Sequence, residues 1–427
     1  MKIKKLKLIN FRNYENFEID FNENMNVIVA ENGAGKTTIL DAIAIGYGAM
    51  FTRFPKIKGK TFGDSDLRFD NDNRLSPYMR VELESYNKIS WDRTQARNKT
   101  KMTKNLIPKA KGLRELNDYV DCIVDKEYAK IYQEYEIPLV MYYGTSRAVI
   151  KSPMRKRDFQ KEFSRYEALS GALEANSDFK RLFQWFDAMQ NRENKKIVEL
   201  KDFDYKLPEL EAVREAITKV IPNIENPRVE ERPLRFVVDK IVEGKAVEFR
   251  IDQLSDGYKT VLAMVMDISA RMSEANPHLG NQSKALIMID EVDLHLHPRW
   301  QQSILIDLQK AFPKAQFIVT THSPQVLSHV KAEHIFLLKQ NKDNVDIIKP
   351  TSSYGKSSDR QLEDILGVDA RPSEIKEDLH RLFKLIQDMK LKEAKELMSE
   401  LENKIEGREV ELVKANVLIK RKEILGK

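Results

Sequence analysis

Nine consecutive residues, Ala30-Glu31-Asn32-Gly33-Ala34-Gly35-Lys36-Thr37-Thr38, have the types and spacing to hold a phosphate. A glycine-rich loop turns its backbone N–H groups inward towards phosphate oxygens. The start of a following helix adds the positive end of its dipole. Lys36 would reach the β- and γ-phosphates, and Thr37 would offer its hydroxyl to Mg²⁺. The pattern G-x-x-x-x-G-K-[ST] begins with glycine, whereas this chain has Ala30, whose methyl restricts positive φ. A second chemical pair is Asp290-Glu291. Alone it reads equally well as a strand end before a helix cap. Beside a phosphate loop, Asp290 would hold the Mg²⁺ shell and Glu291 would polarise the water that attacks the γ-phosphate. His322 follows the next apolar run, where it could hydrogen-bond the γ-phosphate. His295 and His297 read as loop residues near Asp293 rather than metal ligands.

These groups need strands that end where the chemistry begins. The apolar run Met25–Val29 leads into the loop, and the run from Ile39 to Ala44 reads as a helix after it. Ala285–Ile289 and Gln316–Thr320 read as buried strands ending in Asp290-Glu291 and Thr321-His322-Ser323. Ile137–Tyr143 reads as another, feeding Gly144-Thr145-Ser146-Arg147. Function-type residues at the C-terminal ends of apolar strands are what a mostly parallel α/β sheet presents at its ligand edge. Phe17–Phe21 alternates as a half-buried antiparallel strand, and Leu234–Arg250 reads as a hairpin around Glu243-Gly244. His334–Lys339 and Val345–Lys349 read as edge strands. Residues 151–230 read as mostly helical, and Ser373–Ile424 as two or three helices with a break at Gly407. In that tail Leu382, Phe383, Leu385, Ile386, Leu391 and Leu397 form an apolar stripe.

Composition bounds the class. The 427 residues exceed one ordinary core, and 41% hydrophobic with 32% charged residues describe a soluble globular protein. The one cysteine, Cys122, cannot form an internal disulfide, and no apolar run approaches the roughly 18 residues of a membrane span. The basic N-terminus alternates as a strand and lacks a signal peptide's apolar region. A cytoplasmic protein is expected. The net charge of +6 is mild; it permits nucleic-acid contact without arguing for it. Arg93–Lys111 is strongly basic and reads as a solvated loop or as a phosphate-backbone contact.

The order of phosphate loop, Leu254-Ser255-Asp256-Gly257, Ile289-Asp290-Glu291, Asp293 and Thr321-His322-Ser323 resembles the ATP-binding-cassette ATPase head in its soluble RecF-, SMC- and OLD-like form. Leu-Ser-Asp-Gly is similar to that family's Leu-Ser-Gly-Gly signature, with Asp256 in place of one glycine. The resemblance implies an α/β fold: a phosphate-loop head with a mixed sheet flanked by helices, a helical insertion and a C-terminal helical extension. It implies ATP and Mg²⁺ as ligands and a homodimer that sandwiches ATP. Arg12, Asn13, Asn32, Gly33, Ala34, Gly35, Lys36, Thr37 and Thr38 would bind ATP in one subunit, with Ser255 and Gly257 closing from the other. Thr37 and Asp290 would hold Mg²⁺; Glu291, Lys36 and His322 would be catalytic. The expected lobes are 1–150 with the phosphate loop, 151–233 as the insertion, 234–350 with signature, acidic pair and His322, and 351–427 for assembly or docking.

Glu291–Pro298 resembles OLD-like ATPases. Tyr143–Arg147, Tyr354-Gly355, Leu362–Gly367 and Arg371-Pro372 resemble the ATPases of the Septu anti-phage system, which also accompany retrons. That family works with a separate HNH nuclease. The expectation is therefore a nucleotide-controlled, non-membrane ATPase of phage defence, with higher oligomers and direct DNA contact left open. The alternative is a RecF- or SMC-like DNA-binding ATPase of repair or recombination. A transporter ATPase subunit fits poorly with the long, charged insertion between Lys36 and Gln253. A self-contained nuclease fits poorly with the Lys/Glu-rich tail.

Overall fold

The computed structural model describes residues 1–31, 33–69, 72–129, 135–148, 163–175, 179–341, 345–407 and 409–425. In β1 (Ile3–Phe11) and β2 (Tyr14–Asp20), apolar residues recur on one face: Ile3, Leu6, Leu8 and Phe11 of the first are buried, as are Tyr14, Phe17 and Ile19 of the second. The tight link between them holds Asn10 and Arg12 at positive φ, 51° and 50°. β3 (Met25–Ala30) is buried along its whole length. The following α1 (Lys36–Phe51) is apolar nearly all round, which marks a core helix rather than a surface one. β4 (Tyr78–Ser85) and β5 (Ser90–Ala96) complete an antiparallel sheet of order β2-β1-β4-β5. Trp91 of β5 donates its indole N–H to the Gly46 carbonyl of α1, fixing sheet to helix. Short α2 (Lys101–Asn105) and amphipathic α3 (Arg114–Tyr128) lead to buried β6 (Leu139–Tyr143). Within the basic stretch, Arg93 points inward and donates to the carbonyls of Ile45 and Lys60. The exposed charge starts beyond it.

The middle of the chain is less helical than its composition suggests. α4 (Phe179–Leu200) and α5 (Pro208–Val220) are followed by a three-stranded antiparallel sheet, β7 (Ile224–Glu231), β8 (Leu234–Val242) and β9 (Lys245–Arg250). The expected β8–β9 hairpin turns at Glu243-Gly244, both at positive φ (51° and 77°), the conformation a two-residue hairpin demands. Phe236 of β8 packs against Phe179, Phe183 and Phe186 of α4, with ring centroids 5.2–6.3 Å apart. This cluster is the local core of the region. α6 (Asp256–Ala275) is buried from Thr260 onward and packs along α5.

β10 (Ala285–Ile289), α7 (Pro298–Gln301), α8 (Ile304–Ala311), β11 (Gln316–Thr320), α9 (Pro324–Leu327), β12 (Ile335–Gln340) and β13 (Val345–Ile348) finish the nucleotide sheet. Its order is β13-β12-β3-β11-β10-β6, parallel from β12 to β6, with β13 antiparallel at the rim. β12 is therefore an interior strand rather than an edge. It inserts between β13 and β3, pairing Ile335 to Leu338 with Val27 to Ala30. The register sets Val27 of β3 beside Val319 of β11, that residue beside Ile289, and Ile289 beside Tyr143 of β6. These neighbouring strands thus end together, and their outgoing loops form one surface. Among the described residues no helix is long and apolar enough to cross a membrane.

The chain divides into two units, Met1–Lys356 and Ser357–Lys427. The second holds α10 (Ser358–Asp364), α11 (Ser373–Gln387), α12 (Leu391–Lys404) and α13 (Val410–Leu425). The last two helices are separated at Gly407, which adopts φ 91°. Leu379, Leu382 and Ile386 meet Ala394, Leu397, Leu401, Leu412, Ala415 and Ile419, with Phe383 and Leu385 against their edge. Three helices bury the tail's apolar stripe inside the unit, so the stripe is core rather than a free docking face.

Candidate functional site

β3 delivers Ala30 as its last residue, still paired in the sheet with Leu338. Ala30 is not among the residues at positive φ, so its methyl meets no conflict there. The loop's special geometry falls on its glycines: Gly33 has φ 83° and Gly35 has φ 92°. Gly35 is also packed tightly. A Cβ on it would lie 2.6 Å from both the Tyr14 hydroxyl and Asn13 Nδ2. The Tyr14 hydroxyl reaches the carbonyls of Gly35 at 3.1 Å and Ala34 at 3.3 Å. The β1–β2 turn thereby braces the phosphate loop from below. Lys36 curls back and donates to the carbonyls of Ala30 (2.9 Å) and Glu31 (3.1 Å). Burial lowers its pKa, while Asp290, Glu291 and Asp293 oppose the shift. Thr38 is buried in the first turn of α1. Asn32 lies outside the described residues.

The acidic pair meets this loop through hydroxyls. Thr37 Oγ1 donates to Asp290 Oδ2 at 2.7 Å, and Thr320 Oγ1 donates to Asp290 Oδ1 at 2.6 Å. The same Thr320 oxygen accepts the Glu291 N–H at 2.7 Å. Glu291 leaves the strand at φ 47°, the left-handed region that a side chain seldom occupies. Thr321 donates to Asp293 Oδ1 at 2.5 Å. Arg147, on the turn after β6, donates to the carbonyls of Asp290 and Glu291. His322 completes the group. Burial first, and then Lys36, lower its pKa, against the pull of Glu291, Asp293 and Asp290. Its imidazole is therefore neutral at pH 7. Its buried Nε2 has no hydrogen-bond partner among the described residues.

The structure thus brings Gly33 to Thr38, Asp290, Glu291 and His322 to one sheet edge. The Asn13 amide sits at that edge, with Nδ2 and Oδ1 both buried and without a partner among the described residues. The Arg12 guanidinium spans Asp66 (2.8 Å) and Asp41 of α1 (2.7 Å). Ser255 and Gly257 lie elsewhere. Ser255 starts α6 exposed, and it lines a cleft with Tyr258, His297, Trp300 and His329 that includes no residue of the phosphate loop. Gly257 abuts the loop after the acidic pair: a Cβ on it would lie 2.4 Å from the His295 carbonyl oxygen, and backbone cannot yield as a side chain can. His297 caps α7, its ring nitrogen accepting the Arg299 N–H. Sequence reasoning passed over Tyr14 and Thr320. The signal for Thr320 is a hydroxyl at the C-terminal end of the strand next to the acidic pair.

Comparison with known proteins matches the chain to a family of ATPases. A protein-family model described as an AAA domain matches residues 5–225, more than half of the chain; a second, also described as an AAA domain, matches residues 127–328. The chain is 27% identical to the "Retron Ec83 probable ATPase" of Escherichia coli over 91% of its own length and 80% of that protein's. It is 24% identical to a Septu protein PtuA of Bacillus thuringiensis, over 86% of this chain and 84% of the relative. Among solved structures, the SMC head domain from Thermotoga maritima aligns with TM-score 0.44 and 17% identity, covering 82% of this chain and 99% of that one.

Proposed function

We propose, for a chain that belongs to the AAA-domain family, that it binds ATP with Mg²⁺ at the β3–α1 loop and hydrolyses it, as the nucleotide-controlled ATPase of an anti-phage system. The observation that carries the reading is the Thr37–Asp290 contact at 2.7 Å, which joins two motifs 253 positions apart. Hard oxygen donors of this kind suit Mg²⁺, which would be held by Thr37 and Asp290 and would neutralise charge on the phosphate oxygens. Lys36 would leave the Ala30 and Glu31 carbonyls for the β- and γ-phosphates. The Asn13 amide and His322 Nε2, without partners among the described residues, supply polar atoms that a bound nucleotide would satisfy. Arg12, held between Asp41 and Asp66, lies at the same turn. The Asn32 backbone would complete the cradle. Glu291, at the lip of the sheet, accepts a proton from the attacking water as that oxygen closes on the γ-phosphate.

Ser255 lines a cleft that includes no residue of its own chain's phosphate loop, which supports a dimer in which each signature closes on the partner's nucleotide. Similarity to the retron and Septu proteins supports the defence assignment and, through it, a separate HNH nuclease governed by ATP occupancy in the cytoplasm. A second reading, direct DNA binding in the manner of repair ATPases, draws on the exposed Lys99, Lys101, Lys104, Lys109 and Lys111, with no acidic residue from Arg97 to Lys111. Calorimetry tests the first reading. Lys36→Ala should abolish ATP binding. Glu291→Gln should bind ATP normally and hydrolyse it roughly 10²- to 10⁴-fold more slowly. Unchanged affinity in the first variant, or full turnover in the second, would reject the assignment.

A further inference from the structure

Arg147 sits on the short 3-10 turn Thr145–Ala148 that follows β6, and it is only 2% exposed. Its Nη1 donates to the Gly144 carbonyl at 2.9 Å and to the Asp290 carbonyl at 2.5 Å. Its Nη2 donates to the Glu291 carbonyl at 2.7 Å. The fork therefore grips two consecutive carbonyls at the point where the chain leaves β10 and enters positive φ at Glu291. A planar guanidinium presents paired donors at fixed spacing, which a single ammonium cannot do. The far side of the same backbone is held by the Thr320 hydroxyl on the Glu291 N–H. Together the two contacts clamp an unfavourable conformation that would otherwise relax. Burial pushes the Arg147 pKa down to about 10, and Asp290, Asp293 and Glu291 resist the shift, so the group stays cationic at neutral pH.

Arg147 has an orientation that packing alone does not explain. A buried arginine retained for stability ordinarily takes a carboxylate side chain as partner. Each hydrogen bond described for Arg147 instead goes to backbone carbonyls, two of them on the residues that carry the site's carboxylates. We infer that Arg147 is a positioning residue for hydrolysis: it locks the Asp290–Glu291 peptide so that the Glu291 carboxylate faces the nucleotide, and it acts on the reaction only through Glu291. This rests on the reading of Glu291 as the base.

The test is a double-mutant cycle read by single-turnover hydrolysis and by ATP affinity. Arg147→Ala is expected to slow hydrolysis at saturating ATP by roughly 10²-fold, the low end of a general-base contribution, with the dissociation constant changed less than threefold. In a Glu291→Gln background the same substitution should cost nothing further. Arg147→Lys, able to reach one carbonyl at a time, should recover part of the rate. So should millimolar guanidinium added to Arg147→Ala, whereas ammonium should not. Equal, multiplicative losses in both backgrounds, or a loss of affinity as large as the loss of rate, would overturn the inference. If Arg147→Ala does not fold, Arg147→Lys carries the same cycle, and a wild-type rate in that variant overturns it as well. Full turnover in Glu291→Gln alone rejects the base assignment instead and is read independently.

Discussion

Replacing Thr320 with valine keeps the shape of the side chain and removes one oxygen with two bonds. Thr320 Oγ1 donates to Asp290 Oδ1 at 2.6 Å and accepts the Glu291 N–H at 2.7 Å. A hydrogen bond to a charged group is worth roughly 1.5–3 kcal/mol and a neutral one about 1 kcal/mol, so the pair is worth about 2–4 kcal/mol. Spread over a unit the size of Met1–Lys356, that loss lowers the melting temperature by a few degrees, about 2–6 °C. Where the same bonds also hold Glu291 in place for the reaction, each 1.4 kcal/mol expressed in the transition state costs about tenfold in rate, so with the whole of those roughly 2–4 kcal/mol expressed hydrolysis should fall by about 30- to 700-fold. Nucleotide affinity should change little, because Thr37 still holds the other Asp290 oxygen. Thr320→Ser should restore both properties, since it returns the hydroxyl. Differential scanning calorimetry and a phosphate-release assay read the two arms. A Thr320→Val protein that melts within 1 °C of wild type and hydrolyses ATP within twofold would refute the reasoning about this hydroxyl.

Gly257→Ala forces its new methyl against the His295 carbonyl, 2.4 Å away, and so displaces the start of α6 from the loop after Glu291. ATP affinity of the isolated subunit should hold while ATP-dependent dimerisation, followed by light scattering, weakens at least tenfold; an unchanged dimer would detach the signature from assembly. Glu274 of α6 pairs with Arg181 at 2.6 Å, yet burial outweighs that partner and raises its pKa to about 7. Its contribution to stability is complete below the ordinary carboxyl value and is lost as pH rises through about 7. Wild type should therefore lose more melting temperature than Glu274→Gln between pH 5 and pH 8, and parallel curves would contradict the shift.

The legible parts of this protein are those where short-range pattern and chemistry coincide. β3, β10 and β11 are largely apolar runs, and each leads into residues that a phosphate site can use. The β8–β9 hairpin was legible because Glu243-Gly244 is a turn with a conformational requirement. β7 was not: Ile224–Glu231 is mostly polar and contains Pro227, and what makes it a strand is pairing with β8 across Asp239 and Phe236. β12 reads as an edge because its last residues, Lys339 and Gln340, are exposed, but partners hundreds of positions away decide where a strand sits. Arg12 illustrates the same limit within the site. The resemblance implied a nucleotide contact for it, and its partners Asp41 and Asp66 emerge only when the first sheet closes on α1. Arg147 holds backbone carbonyls, and Thr320 holds a backbone N–H beside the Asp290 carboxylate; a sequence carries no mark of which backbone group a side chain will hold.

The order of the nucleotide sheet has a consequence for synthesis. β3, which carries the phosphate loop, lies between β11 and β12. Both neighbours leave the ribosome some three hundred residues after it, a delay of roughly 15–60 s at 5–20 residues per second. Throughout that interval the largely apolar β3 has neither hydrogen-bonding neighbour. A nascent chain halted before Gln316 thus carries the loop's residues without the frame that shapes them. Incomplete products should therefore not bind ATP through this loop. What they expose instead is an unpaired apolar strand, which makes them clients for chaperones and proteases.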